Sequence, residues 1–227
     1  MTGTVLLVRD GHAAWDPDGP YAISPLGWEQ ARLLGGTLAA RGVAPATVLH
    51  GEPPCHAETV ESMAEAAGWS TAPVLDARWN CYDHREVLRD HMPTMVGGAD
   101  PDPVQVQQWL QVAMLRWTSG EHDDYSEAFA SFARRTWAAL GDAAERARSG
   151  GPVVVVTSGS AIAWVVVALV GGWEPEVPAA ELAGAWTRLH PVVVNTAVTK
   201  VAVGPAGVRL VSFNEHVHLE ATAPVAG

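Results

Sequence analysis

The sequence predicts an α/β fold: a three-layer α/β/α sandwich with a mostly parallel sheet, helices on both faces and an inserted cap region. Apolar runs of strand length, among them residues 5–8 and 153–157, alternate with longer segments whose apolar residues recur at helical spacing. The run at 153–157 is β-branched throughout, which is typical of a strand buried on both faces. The chain has 227 residues, of which 48% are hydrophobic, and this composition suffices for one domain with a large core.

The chain opens with a strand at residues 5–8 and a polar turn, Arg-Asp-Gly-His, at residues 9–12. In an α/β sheet, ligands bind at the carboxyl ends of the parallel strands, so this turn is the predicted centre of a site. Ser24 is a suitable N-cap and Pro25 a suitable first helical residue. A helix is therefore expected from Pro25 until Gly42 ends it.

The middle of the chain predicts shorter elements and one irregular region. Strands are expected at residues 47–50 and 73–75, with a helix over residues 55–67 between them. Residues 85–124 begin with a stretch rich in Pro, Gly and Asp and include a short helix at 104–117. We interpret residues 85–124 as a cap insertion that covers the site, within a single domain that spans the whole chain.

The last third continues the alternation and ends in an antiparallel pair at the sheet edge. Glycines separate the elements, and a Gly-Pro-Ala-Gly turn joins the final two strands. The expected elements are a long amphipathic helix at 125–148, a strand at 153–157, a helix ending at 170, a helix at 179–189, and strands at 192–203 and 208–213.

Composition excludes several classes of partner. With 25 acidic residues against 14 Lys and Arg, the net charge is −11, which repels nucleic acids and anionic membrane surfaces. The N-terminus has no signal-peptide pattern, and the longest apolar stretch is too short to span a membrane, so a cytoplasmic protein is expected. The two cysteines are then expected to be reduced. A small-molecule substrate is the expected partner, and the sequence leaves a homo-oligomer open.

The chain contains ten tryptophans but only three phenylalanines and three tyrosines. Core packing is the favoured explanation in a sequence with few other bulky residues. The alternative is that some of them line a ligand pocket with apolar surface. Trp15 and Trp79 are the candidates near the predicted site, and Trp109 and Trp117 are the candidates in its cover.

Several motifs resemble those of the histidine phosphatase superfamily, whose best-known members are cofactor-dependent phosphoglycerate mutases. The family opens with a strand and Arg-His-Gly, and continues with Leu-Ser/Thr-x-x-Gly-x-x-Gln-Ala. The corresponding segments of this chain, in the family's order, are Arg-Asp-Gly at 9–11, Ile-Ser-Pro-Leu-Gly-Trp-Glu-Gln-Ala at 23–31, Thr59, Asn-Cys-Tyr-Asp-His at 80–84, Val-Val-Thr-Ser-Gly at 155–159, and the closing strands. The resemblance covers nearly the whole chain and implies the same fold.

The resemblance also implies which residues occupy the catalytic positions. In the family, a first His attacks phosphorus, two arginines and a second His bind the phosphoryl oxygens, and a Glu donates a proton. Position by position, only Arg9 matches. Asp10 stands in the nucleophile's place, Cys55 in that of an arginine, Cys81 in that of the acid and Ser158 in that of the second histidine. We therefore expect that phosphohistidine chemistry is lost.

The favoured hypothesis is a repurposed enzyme that acts on a small organic substrate in the old phosphate pocket. Asp10, Cys55 and Cys81 are the predicted catalytic residues. Together with a nearby histidine they also form a candidate site for zinc or another divalent, thiophilic metal ion, although small apolar packing is the competing role for both cysteines. The predicted substrate-binding residues are Arg9, His12, Ser158, Trp15 and Trp79. A role in biosynthesis is consistent with this hypothesis.

Two other hypotheses stay open. One is a non-catalytic pseudoenzyme that binds a ligand or a partner protein. The weaker one is a phosphatase in which Asp10 forms an acyl phosphate, chemistry that normally uses Mg²⁺. Among the nearby histidines, His12 is the better functional candidate. His84 is expected to make a structural hydrogen bond, and His56 is expected at a helix start, facing solvent.

Overall fold

A computed structural model describes residues 3–14, 21–89, 103–122 and 124–220 of the chain. Its centre is a six-stranded sheet with the strand order β3-β2-β4-β1-β5-β6. Strands β1 to β4 run parallel, whereas β5 pairs antiparallel with both β1 and β6. The strands are β1 (Gly3–Arg9), β2 (Thr47–His50), β3 (Pro73–Leu75), β4 (Val153–Thr157), β5 (Val198–Gly204) and β6 (Gly207–Glu215).

Helices cover both faces of this sheet, as the sequence predicts. Alternate residues of the central strands face opposite sides, so Leu7 of β1 packs with α5 and α6, whereas Leu6 and Val8 pack with α1 and α2. The helices are α1 (Pro25–Ala40), α2 (Pro54–Ala67), α3 (His84–Arg89), α4 (Pro103–Ser119), α5 (Phe129–Gly150), α6 (Gly159–Gly171) and α7 (Ala180–Leu189). The α/β/α sandwich with an antiparallel edge is confirmed.

Two helices begin at serine caps, and the sequence predicts the first of them, Ser24. The Ser24 hydroxyl accepts a hydrogen bond from the Gly27 amide at 3.2 Å, and Pro25 is the first residue of α1. Ser158 caps α6 in the same way, accepting from the Ala161 amide at 3.4 Å. These side chains satisfy amide groups that have no partner inside the helix, and thereby fix where each helix leaves the sheet.

The predicted insertion at residues 85–124 contains α3 and α4, and its residues 90–102 and 123 lie outside the described part of the chain. Met114 and Trp117 of α4 are buried in the core that β1 and α5 share. The described end of this region therefore packs as part of the main body. Its role as a cover of the site stays a prediction.

Two boundaries differ from the sequence prediction for identifiable reasons. The strand expected from residue 192 begins at Val198, which pairs with Val8 near the end of β1, so most of the expected residues before it lie beyond the end of that strand. Thr196, with φ of 58°, lies in the left-handed region just before it. The helix expected from residue 125 begins at Phe129, because Ala128 is still extended.

Most of the described tryptophans are packed in the core, which agrees with the core-packing explanation of their number. Among those that the structure describes, Trp79, Trp164 and Trp186 have no exposed surface and Trp117 is 2% exposed. Trp117, Trp164 and Trp186 pack edge-on or tilted against aromatic neighbours, which include Phe129 and Phe132. No described helix combines the length and apolar character needed to cross a bilayer.

Candidate functional site

A cavity of about 530 Å³ opens where β1 and β4 end, at the edge of the sheet where α/β proteins bind ligands. Its walls come from the loops after β1, β2 and β4, from the segment before α3, and from the residues that follow α7. The lining residues are Arg9, Asp10, Ala13, Tyr21, Pro53, Cys55, His56, Asn80, Cys81, Tyr82, Asp83, His84, Arg85, Ser158, Gly159, Ser160, His190 and Pro191.

Asp10 stands at the centre because its backbone is fixed from two sides. Its amide donates to the carbonyl of Thr157, the last residue of β4, at 2.9 Å. The Asn195 side chain donates to the Asp10 carbonyl at 2.9 Å. The next residue, Gly11, donates to the Thr59 hydroxyl at 2.9 Å, and a Cβ at this position would lie 2.8 Å from the Gly27 carbonyl oxygen. Only glycine permits this close approach to α1.

The first turn of α2 supplies Cys55 and His56. The Cys55 amide donates to the Tyr21 carbonyl at 2.7 Å, and the Thr59 hydroxyl donates to the Cys55 carbonyl at 2.6 Å. The thiol is buried, and burial together with the nearby Asp10 carboxylate raises its pKa far above the ordinary value. Cys55 is therefore a neutral thiol near neutral pH.

His56 is buried, with 1% of its surface exposed, so the expectation that it faces solvent is wrong. The ring turns inward because Gly51 leaves room for it: a Cβ at residue 51 would lie 2.6 Å from His56 Nδ1. Burial lowers the pKa of the imidazole, and the Asp10 carboxylate opposes this shift. No hydrogen-bond partner reaches His56 Nδ1.

Asp10, Cys55 and His56, which we call the Asp10 cluster, each offer a ligand atom, and these atoms lie within 4.8 Å of one another. All three residues also line the cavity. Within the part of the chain that the structure describes, this is the group whose donors converge closely enough to hold a metal ion. The sequence named Asp10 and Cys55 for such a role with Cys81 as the third ligand, and the structure offers His56 in that place.

Cys81 belongs instead with Ser158 and Ser160, which together we call the Ser160 cluster. The Cys81 sulfur lies 3.3 Å from the Ser160 hydroxyl, which in turn lies 2.7 Å from the Ser158 hydroxyl. Burial raises the pKa of the Cys81 thiol, and hydrogen bonds from the two serine hydroxyls partly oppose the rise. Trp186 donates from Nε1 to the Ser160 carbonyl at 2.9 Å and so ties this cluster to the core.

The segment that carries Cys81 is held by Arg135 of α5. Its guanidinium donates to the carbonyls of Arg78 and Asn80 at 2.8 Å and to that of Cys81 at 3.3 Å. The same side chain pairs with Glu127 at 2.5 Å. Arg135 thus satisfies three backbone acceptors in an irregular segment that has no strand to pair with.

Arg9 and His190 form the wall beside the N-terminus of α6. The Arg9 guanidinium donates to the Val193 carbonyl, and a Cβ at Gly159 would lie 3.4 Å from Arg9 Cδ. His190 stacks on Trp186, with ring centroids 4.6 Å apart and planes 17° apart. Burial and the Arg9 charge lower the pKa of His190. A fixed positive charge and a neutral imidazole therefore face the cavity together.

The mouth of the cavity is built from Tyr21, His84 and Arg85. The Tyr21 hydroxyl lies 2.9 Å from His84 Nε2, and the Arg85 guanidinium lies 4.5 Å from the centre of the Tyr21 ring. Burial raises the pKa of Tyr21 and lowers that of His84. The structural hydrogen bond expected of His84 is thus present, with Tyr21 as its partner.

Two of the residues predicted to bind substrate, His12 and Trp79, do not line the cavity. His12 is exposed, and its Nδ1 lies 2.9 Å from the Ser24 hydroxyl, outside the pocket. Trp79 is fully buried in the core, because the 3₁₀ turn Ala77–Trp79 directs it inward and Thr157 donates to its carbonyl at 2.6 Å. Trp15 lies outside the described residues.

Sequence reasoning missed several polar residues that line the cavity, among them Tyr21, Arg85, Ser160 and His190. The spacing Ser-Gly-Ser at residues 158–160 was a usable signal for Ser160, because both hydroxyls stand at a helix start. Tyr21, Arg85 and His190 carry no local pattern, and only the tertiary fold brings them to the cavity. Asp10, Cys55, Cys81, Ser158 and Arg9 do line it together.

Charge in the cavity is balanced. Among the described lining residues, two guanidinium groups, of Arg9 and Arg85, face two carboxylates, of Asp10 and Asp83. A dianion would gain little net attraction here, whereas a neutral or singly charged ligand loses nothing. The aromatic and proline side chains of Tyr21, Pro53, Tyr82 and Pro191 add apolar surface to the wall.

A sequence model of the "Histidine phosphatase superfamily (branch 1)" matches residues 5–216 of the chain. No curated protein matches the sequence. Solved structures that resemble it include a phosphoglycerate mutase from Bacillus anthracis str. Sterne, which has 15% identity, a TM-score of 0.66, and coverage of 96% of this chain and 95% of that one.

Two phosphatases are similar to about the same degree. A phosphoserine phosphatase mutant from Entamoeba histolytica in complex with phosphoserine has 17% identity and a TM-score of 0.62, with coverage of 95% of this chain and 98% of that one. A mycobacterial glucosyl-3-phosphoglycerate phosphatase in complex with VO3 has 17% identity and a TM-score of 0.63, with coverage of 94% and 99%. At these identities the similarity establishes the shared fold.

Proposed function

The chain belongs to branch 1 of the histidine phosphatase superfamily, and from this premise we propose that it has exchanged phosphohistidine chemistry for the binding and conversion of a small organic substrate. The substrate occupies the cavity at the ends of β1 and β4. It is neutral or carries a single negative charge, and part of its surface is apolar.

The balanced charge of the cavity is the observation that carries this proposal. The resemblance assigns two arginines and two histidines to phosphoryl transfer in the family. At the matching positions this chain keeps Arg9 and has Asp10, Cys55 and Ser158. Two unit charges 4 Å apart interact by about 4 kcal/mol at an effective dielectric constant near 20, so losing a cation and gaining a carboxylate weakens dianion binding severely.

Asp10 also removes the nucleophile that the family uses. A carboxylate oxygen replaces the imidazole nitrogen at the end of β1, and the nearest buried imidazole, His56, comes from α2 instead. A phosphate would have to approach Asp10 with like charge against like charge. This repulsion supports the proposal over a phosphatase that uses Asp10 as its nucleophile.

The cavity walls support the substrate class. Arg9 and the first amides of α6 offer a site for one anionic or carbonyl oxygen. Tyr21 and Tyr82 present aromatic surface. A ligand with one polar end and an apolar body fits a cavity of about 530 Å³, a volume within the range of small-molecule sites.

Asp10, Cys55 and Cys81 are the proposed catalytic residues. Because both thiols have raised pKa values, mainly through burial, they are protonated near neutral pH and are suited to donating hydrogen bonds rather than to nucleophilic attack. Asp10 is the proposed base, because its carboxylate faces the cavity.

A non-catalytic ligand-binding protein is the second candidate, and the Ser160 cluster favours it. The Ser158 and Ser160 hydroxyls bond to each other and to Cys81, so no base is placed to activate them. If Asp10 also makes no proton transfer, the cavity binds without turnover.

Three ligands that share a phenyl ring test the proposal: benzamide is neutral, benzoate carries one charge, and phenyl phosphate carries two. We expect calorimetric titration to give tighter binding for benzamide and benzoate than for phenyl phosphate, and no release of phosphate from phenyl phosphate. The variant Asp10→Asn is the matched control, because it removes one negative charge at nearly constant size. It should improve phenyl phosphate binding by tenfold or more, since one removed charge is worth about 1.4 kcal/mol or more at this range.

Two results would overturn the proposal. Phenyl phosphate that binds more tightly than benzoate to the unaltered protein would show that the cavity still selects dianions. Release of phosphate that disappears in Asp10→Asn would establish Asp10 as a phosphatase nucleophile.

A further inference from the structure

We propose that the Asp10 cluster is the binding site of a thiophilic divalent metal ion, for which zinc is the best fit. The Asp10 carboxylate, the Cys55 thiolate and the His56 imidazole would hold the ion at the base of the cavity, and Cys55 would release its thiol proton to solvent on binding. In the metal-bound protein Asp10 and Cys55 would be ligands, in place of the base and the hydrogen-bond donor that they are in the metal-free site. This inference deepens the proposed function, on which it rests only for the identity of the pocket.

Geometry is the first support. Asp10 follows β1, whereas Cys55 and His56 are neighbours in the first turn of α2. These two elements bring a carboxylate oxygen, a sulfur and a ring nitrogen within 4.8 Å of one another. Ligand atoms around a tetrahedral zinc ion lie roughly 3–4 Å apart, since each is about 2.0–2.3 Å from the metal. Small side-chain rotations therefore suffice to close the site.

The unpartnered His56 ring is the second, independent support. His56 is 1% exposed, and no hydrogen-bond partner reaches its Nδ1. Burying a polar atom without a partner is costly, and among the described residues with such an atom His56 is the one that belongs to the Asp10 cluster. Gly51 leaves the space that the ring needs, since a Cβ there would lie 2.6 Å from Nδ1. A metal bond to this imidazole would give the ring the interaction that the protein does not supply.

The donor set selects the kind of ion. A thiolate and an imidazole favour zinc or a similar transition metal and disfavour Mg²⁺ and Ca²⁺, which prefer oxygen ligands. A divalent cation with one carboxylate, one thiolate and one neutral imidazole has no net charge. Such a site can be buried at lower cost than an isolated Asp10 carboxylate.

The ion would have an open coordination position toward the cavity. Asp10, Cys55 and His56 all line the cavity, so a fourth ligand comes from water or from the substrate. Three protein ligands with one open position are typical of catalytic rather than structural zinc. The substrate class that fits is then a small molecule with a carbonyl or carboxylate oxygen, which a metal ion can polarise.

Cys81 provides a matched control, because the chain contains only two cysteines and both line the cavity. Its sulfur lies 3.3 Å from the Ser160 hydroxyl, and it is not a member of the Asp10 cluster. If a metal ion binds as proposed, Cys55→Ala and Cys81→Ala should differ sharply, although each removes one buried or mostly buried thiol.

Cobalt is the probe for the experiment, because a thiolate bound to Co²⁺ gives a charge-transfer absorption in the near ultraviolet. The purified full-length protein is stripped with a chelator and titrated with Co²⁺, and zinc affinity is then measured by displacement of cobalt. We expect one Co²⁺ per chain with the thiolate band in the unaltered protein and in Cys81→Ala. We expect loss of the band in Cys55→Ala, and at least about 100-fold weaker zinc binding in Cys55→Ala and in His56→Gln.

The inference is overturned if the unaltered protein shows no thiolate–cobalt band, or if Cys81→Ala weakens zinc binding as much as Cys55→Ala does. Far-ultraviolet circular dichroism of every variant guards against a loss that is caused by unfolding. His56→Gln also gives an independent readout if Cys55→Ala does not fold.

Failure of this inference differs from failure of the proposed function. A protein that binds no metal but prefers benzoate to phenyl phosphate loses the metal site and keeps the function. A protein that binds cobalt through Cys55 and still hydrolyses phenyl phosphate keeps the metal site and loses the function.

Discussion

The two thiols of the chain line one cavity, but their surroundings differ in how completely the polar groups are satisfied. Cys81 sits in the Ser160 cluster, where two hydroxyls bond to each other and one of them to the sulfur. Cys55 sits in the Asp10 cluster, beside a carboxylate that raises its pKa further than burial alone and beside a histidine with an unpartnered Nδ1.

The two cysteines therefore have different surroundings to respond to, although both line the same cavity. The Ser160 cluster is closed by its own hydrogen bonds and is tied to the core through Trp186. The Asp10 cluster holds a carboxylate beside a buried thiol and a buried imidazole whose Nδ1 has no hydrogen-bond partner, which are features that a ligand can relieve. This difference supports the proposal that the Asp10 cluster, rather than the Ser160 cluster, binds an ion.

The largest expected effect comes from cutting the tie between the Ser160 cluster and the core. Trp186 is fully buried and stacks on His190, so Trp186→Ala should lower the free energy of unfolding by about 3–5 kcal/mol, measured by urea denaturation. Trp186→Phe keeps an aromatic ring but loses the hydrogen bond to the Ser160 carbonyl. It should therefore lower the free energy of unfolding by about 1 kcal/mol beyond the loss that the smaller ring itself causes.

Trp28→Ala is the control for Trp186→Ala, because Trp28 is 36% exposed. Trp28→Ala should lower the free energy of unfolding clearly less than Trp186→Ala does. In Trp186→Ala, alkylation of Cys81 by iodoacetamide should accelerate while alkylation of Cys55 stays slow. Equal acceleration at both thiols would contradict the separation of the two clusters.

The frame of the fold was predictable because it depends on local patterns. A few adjacent residues suffice to predict these elements: the β-branched run of β4, the cap at Ser24 and the glycines at helix ends. The short helix α3 was missed because six residues are too few for a period, although Asp83 caps it by accepting from the Glu86 amide at 3.0 Å.

The site was only partly predictable, because several of its residues meet through the tertiary fold. Asp10, Cys55, Cys81 and Ser158 could be placed since the family resemblance fixes their positions. His56 could not be placed, because its inward direction depends on the absence of a side chain at Gly51. Trp79 is near the site in sequence, but a 3₁₀ turn sends it into the core.

The dependence of stability on alkaline pH tests the raised pKa values of the two thiols. Burial and Asp10 raise the pKa of Cys55 in the folded chain above the ordinary value of 9.0. Above about pH 9 the unfolded chain releases the thiol proton while the folded chain retains it, so stability is full below that pH and falls as the pH rises. From pH 9 to 10 the loss due to Cys55 should be about 1 kcal/mol in chelator-treated protein.

Urea denaturation at pH 8, 9 and 10 measures this loss, with Cys55→Ala and Cys81→Ala as a matched pair. The slope of stability against pH should flatten in each variant, because burial raises the pKa of both thiols and the substituted side chain no longer titrates. Each substitution also leaves a cavity that lowers stability, but this loss is the same at every pH and does not change the slope. An unchanged slope in Cys55→Ala would contradict a raised pKa of the Cys55 thiol in the folded chain.

The smallest expected effect separates hydrogen bonding from packing in the Ser160 cluster. Ser160→Ala removes a hydroxyl that lies 3.3 Å from the Cys81 sulfur and 2.7 Å from the Ser158 hydroxyl, but leaves the backbone bond to Trp186 in place. It should lower stability by roughly 0.5–1 kcal/mol. Since that hydroxyl lowers the pKa of Cys81, its loss should slow alkylation of Cys81 at pH 9 and leave Cys55 unchanged. Ser70→Ala, at an exposed position, should change neither quantity, and faster alkylation of Cys81 in Ser160→Ala would mean that Ser160 shields the thiol sterically rather than stabilising its thiolate.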